Sequence, residues 1–467
     1  MKRREFLHRS VLTGAAALPV YTFSSAAAFK PVQAQSANDR LGIALIGCGG
    51  QGTGDIKSAA RVGDVVAVAD ADLGHAENVK KIFDGKPAVY QDYRKLLENK
   101  DVDVVIQATP DHWHTKINID ALRAGKDVYG EKPFSLTIAE GQQLCKVVKE
   151  TGRVFQTGTQ QRSGKEFQTA VELVRNGRIG KLKRVLVALP YYNTSGGPFL
   201  PGEAVPAKLD WELYQGQAPV HPYIPQRTHR IFRWWYEYAG GIMTDWGNHH
   251  IDIAHWGMDV ETTGPLTVEA RGIFPNEGKP DCFNTPDRFF SAMKYPGGLE
   301  LFFYVTLAEK PKFGDTTTHQ ETGKEQFDWL FGKDCPQDVH DNKRNGIMFI
   351  GDKGRVFVNR GGLFGKPVEE LKENPLPDSI DGKPRWRVKP SGDHIKNFFD
   401  CVRSREEPVA PARIEHRSVT ACHLTNISIR LGGRKLQWDS VKESIIGDTE
   451  ADAMLRREQR KPYGISD

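Results

Sequence analysis

The stretch Leu41-Gly-Ile-Ala-Leu-Ile46, followed at once by Gly47-Cys48-Gly49-Gly50-Gln51-Gly52, constrains this chain more than any other feature. A short apolar run bounded by glycines reads as a buried strand, and the glycine turn opens a helical stretch that precedes a second apolar run, Val65 to Ala69. Further strand-like segments, Val102 to Ala108 and Lys126 to Tyr129, are again separated by single helical patterns. Strands alternating with single helices pair in parallel, because a right-handed crossover through a helix returns each strand beside its predecessor. The predicted fold class is α/β, with an N-terminal doubly wound parallel sheet over residues 38–160.

The turn matches G-x-G-x-x-G in the position that makes the pattern meaningful, between a strand and a helix. Gly47 permits the tight turn, Gly49 lets the backbone approach a pyrophosphate, and Gly52 allows the helix to pack closely on the strand, with Cys48 and Gln51 completing the loop. Asp70 closes the second strand 18 residues after Gly52, where a carboxylate hydrogen-bonds the adenosine ribose and repels a 2′-phosphate. NAD is therefore the expected cofactor and NADP the less favoured one. Asp72 is the second candidate for the ribose contact. A glycine-rich surface turn with a solvated aspartate is the bland alternative, and it leaves the β-α-β context unexplained.

Beyond the first sheet the texture changes. Residues 161–435 contain longer β-rich segments, Arg184 to Leu189, Leu266 to Ile273, Phe289 to Lys294 and Leu299 to Leu307, which predict a C-terminal α+β domain with a large open, mostly antiparallel sheet. Helical patterns follow at His394 to Arg403 and Arg417 to Leu431. Residues 308–345 have few periodic apolar positions and are expected to be a long loop insertion, and 436–467 a charged tail.

Residues 1–35 read as a processing segment: Lys2, Arg3 and Arg4 precede Phe6-Leu7, an apolar run from Val11 to Phe23, and the small residues Ser24 to Ala28. This is the pattern of a twin-arginine export signal, so the twin-arginine machinery is an expected partner and the periplasm, or another exported location, the expected destination. Cleavage after Ala28 or after Ala34 fits equally well. A basic arm or membrane anchor fits less well, since Pro19 interrupts an apolar run already too short to span a bilayer. No later segment is long and apolar enough for stable membrane insertion. Losing residues 1–34 removes Lys2, Arg3, Arg4, Arg9 and Lys30 against Glu5, so the net charge falls from +5 to about +1. No basic patch with interleaved aromatics is left to bind nucleic acid. The six cysteines lack C-x-x-C spacing, and the twin-arginine route carries chains already folded in a reducing cytosol, so free thiols are expected.

Four further clusters hold chemistry-bearing side chains: Thr109-Pro110-Asp111-His112-Trp113-His114, Glu131-Lys132-Pro133, Thr159-Gln160-Gln161-Arg162, and Gly240-Gly241 leading to Asp245-Trp246-Gly247-Asn248-His249. The first three lie just beyond strand C-termini, the edge of an open α/β sheet where ligands bind. With Glu131-Lys132-Pro133 and the G-G-x-x-x-D-x-x-x-H run in this order behind a dinucleotide fold, the chain resembles the Gfo/Idh/MocA family, named for glucose-fructose oxidoreductase, inositol dehydrogenase and a rhizopine-catabolism protein. The resemblance covers essentially everything after the export segment. It implies a cofactor cleft closed by the sheet of the second domain, a strained or cis bond before Pro133, a sugar or polyol substrate, and a homo-oligomer paired through the open sheet.

Hydride removal from a carbinol carbon becomes easier as its hydroxyl proton leaves, so an acid–base group must reach that oxygen. His249 is the natural base. On a helix Asp245 and His249 stand at i and i+4 on one face, where the carboxylate orients the imidazole or binds a neighbouring substrate hydroxyl. Lys132 stabilises the developing alkoxide or relays its proton. The resemblance supports Lys132, Asp245 and His249 as catalytic residues. Thr109, Pro110, His114 and Glu131 are expected beside Lys132 in the cofactor cleft. Arg162, Asp245 and His249 are substrate-side candidates, with Trp235 as a ring platform for a sugar, although core packing explains the run Arg233-Trp234-Trp235-Tyr236 equally well.

Three alternatives compete. His112, His114, His249, His250, Asp252 and His255 suggest a metal hydrolase, but that leaves the dinucleotide turn without a purpose, so no metal is expected. A glycoside hydrolase using NAD transiently, through oxidation, elimination and re-reduction, fits export well, because no replenished NAD pool exists outside the cytoplasm. Against it, the related N-acetylgalactosaminidases do not usually keep the Glu-Lys-Pro and Asp-x-x-x-His pair. A cofactor-binding protein without catalysis would tolerate loss of Lys132 and His249.

Overall fold

The computed structural model describes residues 40–199, 202–306 and 345–466. The export segment, residues 308–344 of the expected insertion and Cys335 lie outside the described residues. The first sheet consists of β1 (Leu41–Ile46), β2 (Gly63–Ala69), β3 (Ala88–Tyr90), β4 (Val104–Gln107), β5 (Asp127–Gly130) and β6 (Phe155–Thr157). All pairs are parallel, in the order β3-β2-β1-β4-β5-β6. The order reverses between β1 and β4, which opens a crevice at their C-terminal ends. β1 reads as a continuous apolar run because both of its faces are covered: Ile43, Ala44 and Leu45 are 0% exposed.

The cover on those faces is not all local. Helices Asp111–Arg123 and Ile138–Thr151 bury Trp113, Ile117, Leu144 and Val147 on one side. On the other, helix Gly50–Ala59 is joined by helix His394–Ser404, whose Ile395, Phe398, Phe399 and Val402 pack with Ile43 and Leu45. Part of the 161–435 span therefore belongs spatially to the first sheet.

The second sheet is built from β7 (Leu182–Pro190), β8 (Thr267–Ile273), β9 (Arg288–Lys294), β10 (Glu300–Thr306), β11 (Gly346–Gly351), β12 (Arg355–Asn359) and β13 (Gly362–Phe364), while β14 (Ser379–Ile380) and β15 (Lys383–Pro384) form a separate hairpin. The last strands, β16 (Leu436–Asp439) and β17 (Ser444–Ile445), complete the order β13-β12-β11-β7-β10-β9-β8-β16-β17. Only β7 and β10 pair in parallel; the other pairs are antiparallel. The expected open, mostly antiparallel sheet is present, but 436–467 is not merely a charged tail. Leu436 and Trp438 are 1% and 2% exposed, and Arg457 Nε donates to the buried Glu140 at 2.8 Å. The charge on this segment hid the apolar positions that alternate with it.

Helices Lys165–Arg175, Ile242–Met258 and Ala412–Arg430 cover one face of this sheet. The middle one lies close: a Cβ on Gly247 would stand 2.7 Å from Phe303, and one on Gly257 2.4 Å from Phe349. No helix of the described residues is long and apolar enough to cross a membrane. The five described cysteines, Cys48, Cys145, Cys282, Cys401 and Cys422, are free.

Candidate active site

The glycine turn shapes one wall of a cleft of about 770 Å³. Gly47 has φ +93°, and a Cβ there would stand 2.5 Å from the backbone carbonyl carbon of Ala108, so both the conformation and the approach of the Ala108-Thr109 peptide require glycine. At Gly52 a Cβ would meet Gly47 O at 2.0 Å, whereas at Gly49 nothing lies within 4 Å. The helix beginning at Gly50 has no side-chain cap, leaving its first N–H groups directed at the open space beside Gly49. This is the arrangement that receives an anionic phosphate. Cys48 contributes backbone rather than thiol: its N–H donates to Asp70 Oδ2 at 2.7 Å, while burial pushes the thiol well above its ordinary pKa. Asp70 lines the cleft just after β2, and its carboxylate also accepts from the backbone N–H of Asp72 at 2.9 Å.

Thr109, Pro110, Asp111, His114, Glu131 and Lys132 line the inner part of the same cleft. His114 holds two loops together, with Nδ1 2.8 Å from Pro133 O and Nε2 2.8 Å from Thr109 O. Burial pulls its pKa down to about 4, so the ring is neutral and donates to one of the two carbonyls at a time. The bond between Lys132 and Pro133 is cis, as the family resemblance implies.

Lys132 and Glu131 also line a second cleft of about 350 Å³, together with Asp245 and His249. Asp245 and His249 occupy i and i+4 of helix Ile242–Met258, as the spacing predicts. Lys132 Nζ donates to Asp245 Oδ1 at 2.5 Å, and Arg233 Nε donates to the same oxygen at 3.2 Å. Burial pushes the Asp245 carboxyl up, but Lys132 and Arg233 outweigh it and hold the group well below the usual carboxylate range. His249 is 4% exposed, and among the described residues its Nδ1 has no hydrogen-bond partner. Burial, reinforced by Lys132 and Arg360, holds its pKa well below the ordinary value, so the imidazole is neutral and able to accept a proton.

Behind Lys132 lies a pair of buried acids, the expected Glu131 and Asp55, of which sequence reasoning missed the second. Gln51 Nε2 donates to Asp55 Oδ1 at 2.9 Å and reaches Glu131 Oε1 at 3.4 Å. Burial pushes Glu131 up to about 7 against the pull of Lys132, and raises Asp55 as well. Glu131 Oε2 accepts from the backbone N–H of Lys132 at 3.2 Å, which fixes the loop that carries the lysine. Asn248 ties that loop to helix Ile242–Met258 by accepting from Phe134 N at 3.1 Å.

Two expected substrate-side residues are not in the cleft. Arg162 is 2% exposed and lines neither cavity; the turn Gln160–Ser163 directs it into the core, where Nε and Nη2 each donate to Asp252 at 2.7 Å and Nη2 donates to Glu261 at 2.8 Å. Two buried carboxylates, Asp252 and Glu415, with the part-buried Glu261 beside them, require a cation there. Trp235 is 1% exposed and packs among Ile224, Phe232 and Tyr238, with the Arg227 guanidinium 3.8 Å above its ring. Its neighbours Arg233 and Trp234 line the second cleft instead, with Trp246 and Arg360. Arg233 belonged to a run already singled out, but nothing in the sequence around Arg360, in the turn between β12 and β13, signals a site.

The histidines of the metal hypothesis are dispersed. His112 Nε2 bonds Tyr214 O, His250 lies between Gln161 and Asn345, and His255 bonds the Tyr295 hydroxyl. A different set, Asp72, His75 and His229, comes together in or beside the outer part of the first cleft, with ligating atoms within 4.8 Å of one another. His75 stands 3.7 Å from Asp70, so this group borders the proposed ribose position.

A parallel sheet with an anion-ready helix start at its reversal point, and a Lys-carboxylate pair shared with a second, sheet-based domain, is the architecture of a two-domain nicotinamide-nucleotide oxidoreductase. Residues 41–159 match the oxidoreductase family model for the NAD-binding Rossmann fold, and residues 184–300 and 376–465 match the model for its C-terminal alpha/beta domain. The chain belongs to the Gfo/Idh/MocA family. It is 29% identical over 174 residues to the inositol 2-dehydrogenase of Salmonella paratyphi B, a stretch covering 35% of this chain and 51% of that protein. It is 30% identical over 150 residues to an alpha-N-acetylgalactosaminidase of Shewanella oneidensis, covering 30% of this chain and 33% of that one. The matches thus span about half the length of the first relative and a third of the second. Among solved structures, the WlbA dehydrogenase of Chromobacterium violaceum, in complex with NADH and UDP-GlcNAcA, superimposes with a TM-score of 0.58 at 17% identity, covering 86% of this chain and 97% of that chain. At that identity the likeness is one of fold.

Proposed function

We propose that this protein transfers hydride between a hydroxyl-bearing carbon of a sugar, polyol or glycoside and a tightly held NAD. The observation that carries the proposal is the position of Lys132 in the walls of both clefts, bonded to Asp245 and sharing the second cleft with a neutral His249. NAD, when bound, supplies the hydride acceptor. His249 takes the hydroxyl proton as the carbon becomes a carbonyl. Lys132 and Arg233 lower the cost of negative charge on the oxygen, and Asp245 keeps the lysine aimed at it. Glu131 and Asn248 hold the Lys132 loop in place. Asp70 favours NAD over NADP by repelling a 2′-phosphate.

Export through the twin-arginine pathway, expected from residues 1–35, belongs to the same proposal. A chain exported already folded carries its cofactor along, and retained NAD must be regenerated within each catalytic cycle. Pairing through the open sheet into a homo-oligomer is part of the reading by family resemblance. The partial identity to an alpha-N-acetylgalactosaminidase supports the second reading, a glycosidase that oxidises, eliminates and re-reduces its substrate.

Native mass spectrometry of the purified protein followed by incubation with sugars, polyols and glycosides tests both. Bound NAD with sugar conversion and no net NADH release is the expected outcome. Glycoside cleavage without net redox change would favour the hydrolase, and stoichiometric NADH release would sink cofactor retention. Lys132→Ala and His249→Ala are expected to cost roughly 10²- to 10⁴-fold in kcat while retaining NAD. Because a base is active above its pKa, the depressed pKa of His249 places the acid limb of the rate profile below the ordinary histidine value of about 6.5. Unaltered turnover in both variants would leave a cofactor-binding protein without this chemistry.

A further inference from the structure

Among the described residues the second cleft is lined by more cations than carboxylates: Lys132, Arg230, Arg233 and Arg360 against Asp245 and Glu131. Lys132 and Arg233 address a single carboxylate, Asp245, which leaves one positive charge in excess. Arg360 adds another. Its Nε donates to the neutral Gln161 Oε1 at 3.2 Å and its guanidinium lies 4.4 Å above the Trp246 ring, so the group is held on its edge and on its face. Among the described residues its two terminal nitrogens make no hydrogen bond, and no carboxylate lies within ion-pair reach of it. Glu131, the other acid of this cleft, does little to offset the excess, because burial pushes it up to about 7 and leaves it partly protonated at neutral pH. NAD in its oxidised form brings a further positive charge on the pyridinium ring.

The turn that carries Arg360 is itself braced. Asn359 donates to Asn345 O at 3.1 Å and accepts from Gly361 N at 2.8 Å. An arginine with a fixed stem, a stacked face and two unused parallel N–H groups is pre-organised for one ligand geometry, the planar pair of oxygens of a carboxylate. Arg360 is itself exposed, so with a neutral sugar its fork would meet only water or sugar hydroxyls, and no ion pair would form. Arg360 and His249 line the same cleft, so an anion gripped by Arg360 shares the cavity of the proposed base.

We propose that the substrate is an acidic sugar of the uronate or aldonate class, whose carboxylate is bound end-on by Arg360 while a neighbouring hydroxyl meets Lys132 and His249. The inference rests on the oxidoreductase reading and names the substrate class of that site. Arg360 is its specificity determinant, and Gln161 and Trp246 are the residues that position it.

Calorimetry on the NAD-loaded protein with matched pairs, glucuronate against glucose and gluconate against sorbitol, with glucose phosphates as a third arm, tests the assignment without requiring turnover. The acid of each pair is expected to bind on the order of 100-fold more tightly than its neutral partner, and Arg360→Gln to bring that ratio to roughly unity. Arg360→Lys, which keeps the charge and loses the fork, should restore part of the preference. Native mass spectrometry of both variants should show NAD retained, which reports an intact cofactor cleft. Equal binding of acids and neutral sugars, or a preference that survives Arg360→Gln, overturns the inference. Tighter binding of the phosphates than of the uronate overturns the assignment to a carboxylate. If neutral sugars bind and react while acids are excluded, the substrate class fails and the oxidoreductase reading stands. Failure of the wild-type protein to bind any nicotinamide nucleotide removes the reading on which the inference depends.

Discussion

Gly49 and Gly52 are three residues apart in one loop, yet they are glycine for different reasons. A methyl group on Gly52 would collide with Gly47 O at 2.0 Å and press on Ala108 Cβ at 3.1 Å, so Gly52→Ala must spread the strand and the helix apart. A methyl group on Gly49 meets no protein atom within 4 Å and intrudes only on the space before the helix N-terminus. Gly52→Ala is therefore expected to lose both thermal stability and NAD binding. Gly49→Ala is expected to keep a near wild-type melting temperature while losing NAD affinity by about tenfold or more. Paired thermal unfolding and NAD titration check this; equal loss of stability in both variants would refute the division. A related contrast separates the neighbours Trp234 and Trp235: both are buried, but only Trp234 also lines a cleft.

Helix Ile242–Met258 is the element on which the site depends, and an ion cluster with no contact to the clefts sets it in place. Arg162 neutralises Asp252 on this helix, and Glu415 links the cluster to Asn248 Nδ2 at 3.1 Å and to Thr159 Oγ1 at 2.6 Å. Burial raises Glu415 well above the usual carboxylate range, with the Asp252 charge adding to it and Arg162 opposing it. Arg162→Met would leave Asp252, 0% exposed, without its cation. A loss of roughly 3–5 kcal/mol in denaturant unfolding is expected, the cost of removing one partner from a buried pair. A change below about 1 kcal/mol, the range of exposed pairs, would show that the cluster is not holding the helix.

At the scale of the whole molecule, the last thirty-odd residues join both halves. Leu436, Trp438, Ile445 and Leu455 enter the core of the second sheet, and Tyr463 enters that of the first, packed edge-on against Trp113. Burying such side chains is worth about 1.5–3 kcal/mol each, and five of them approach the whole stability of an ordinary domain, about 5–15 kcal/mol. A chain ending at Arg434 is expected to be insoluble or to lack a cooperative unfolding transition by calorimetry. A soluble, cooperatively melting product would show this segment to be dispensable.

Local pattern was sufficient wherever one element carried the information. The buried run into Gly47, the position of Asp70 at the end of β2, and the i, i+4 placement of Asp245 and His249 were all legible, because hydrophobic period, glycine spacing and helical repeat act over a few residues. Arg162 illustrates the limit: it follows a strand at the binding edge, as a ligand contact would, but its direction was decided by carboxylates from two distant helices and a loop. Sequence by itself determined the alternating α/β fold, the dinucleotide turn and the residues able to do proton and hydride chemistry, since these follow from local backbone geometry and side-chain type. Only the tertiary structure decided which charges share a cavity, how far burial moves their protonation, and that Arg360 and Arg233 stand in the same cleft as Lys132. Those properties arise from contacts between different elements, many of them more than a hundred positions apart, such as Lys132 with Asp245 and Gln161 with Arg360, and no short-range pattern encodes them.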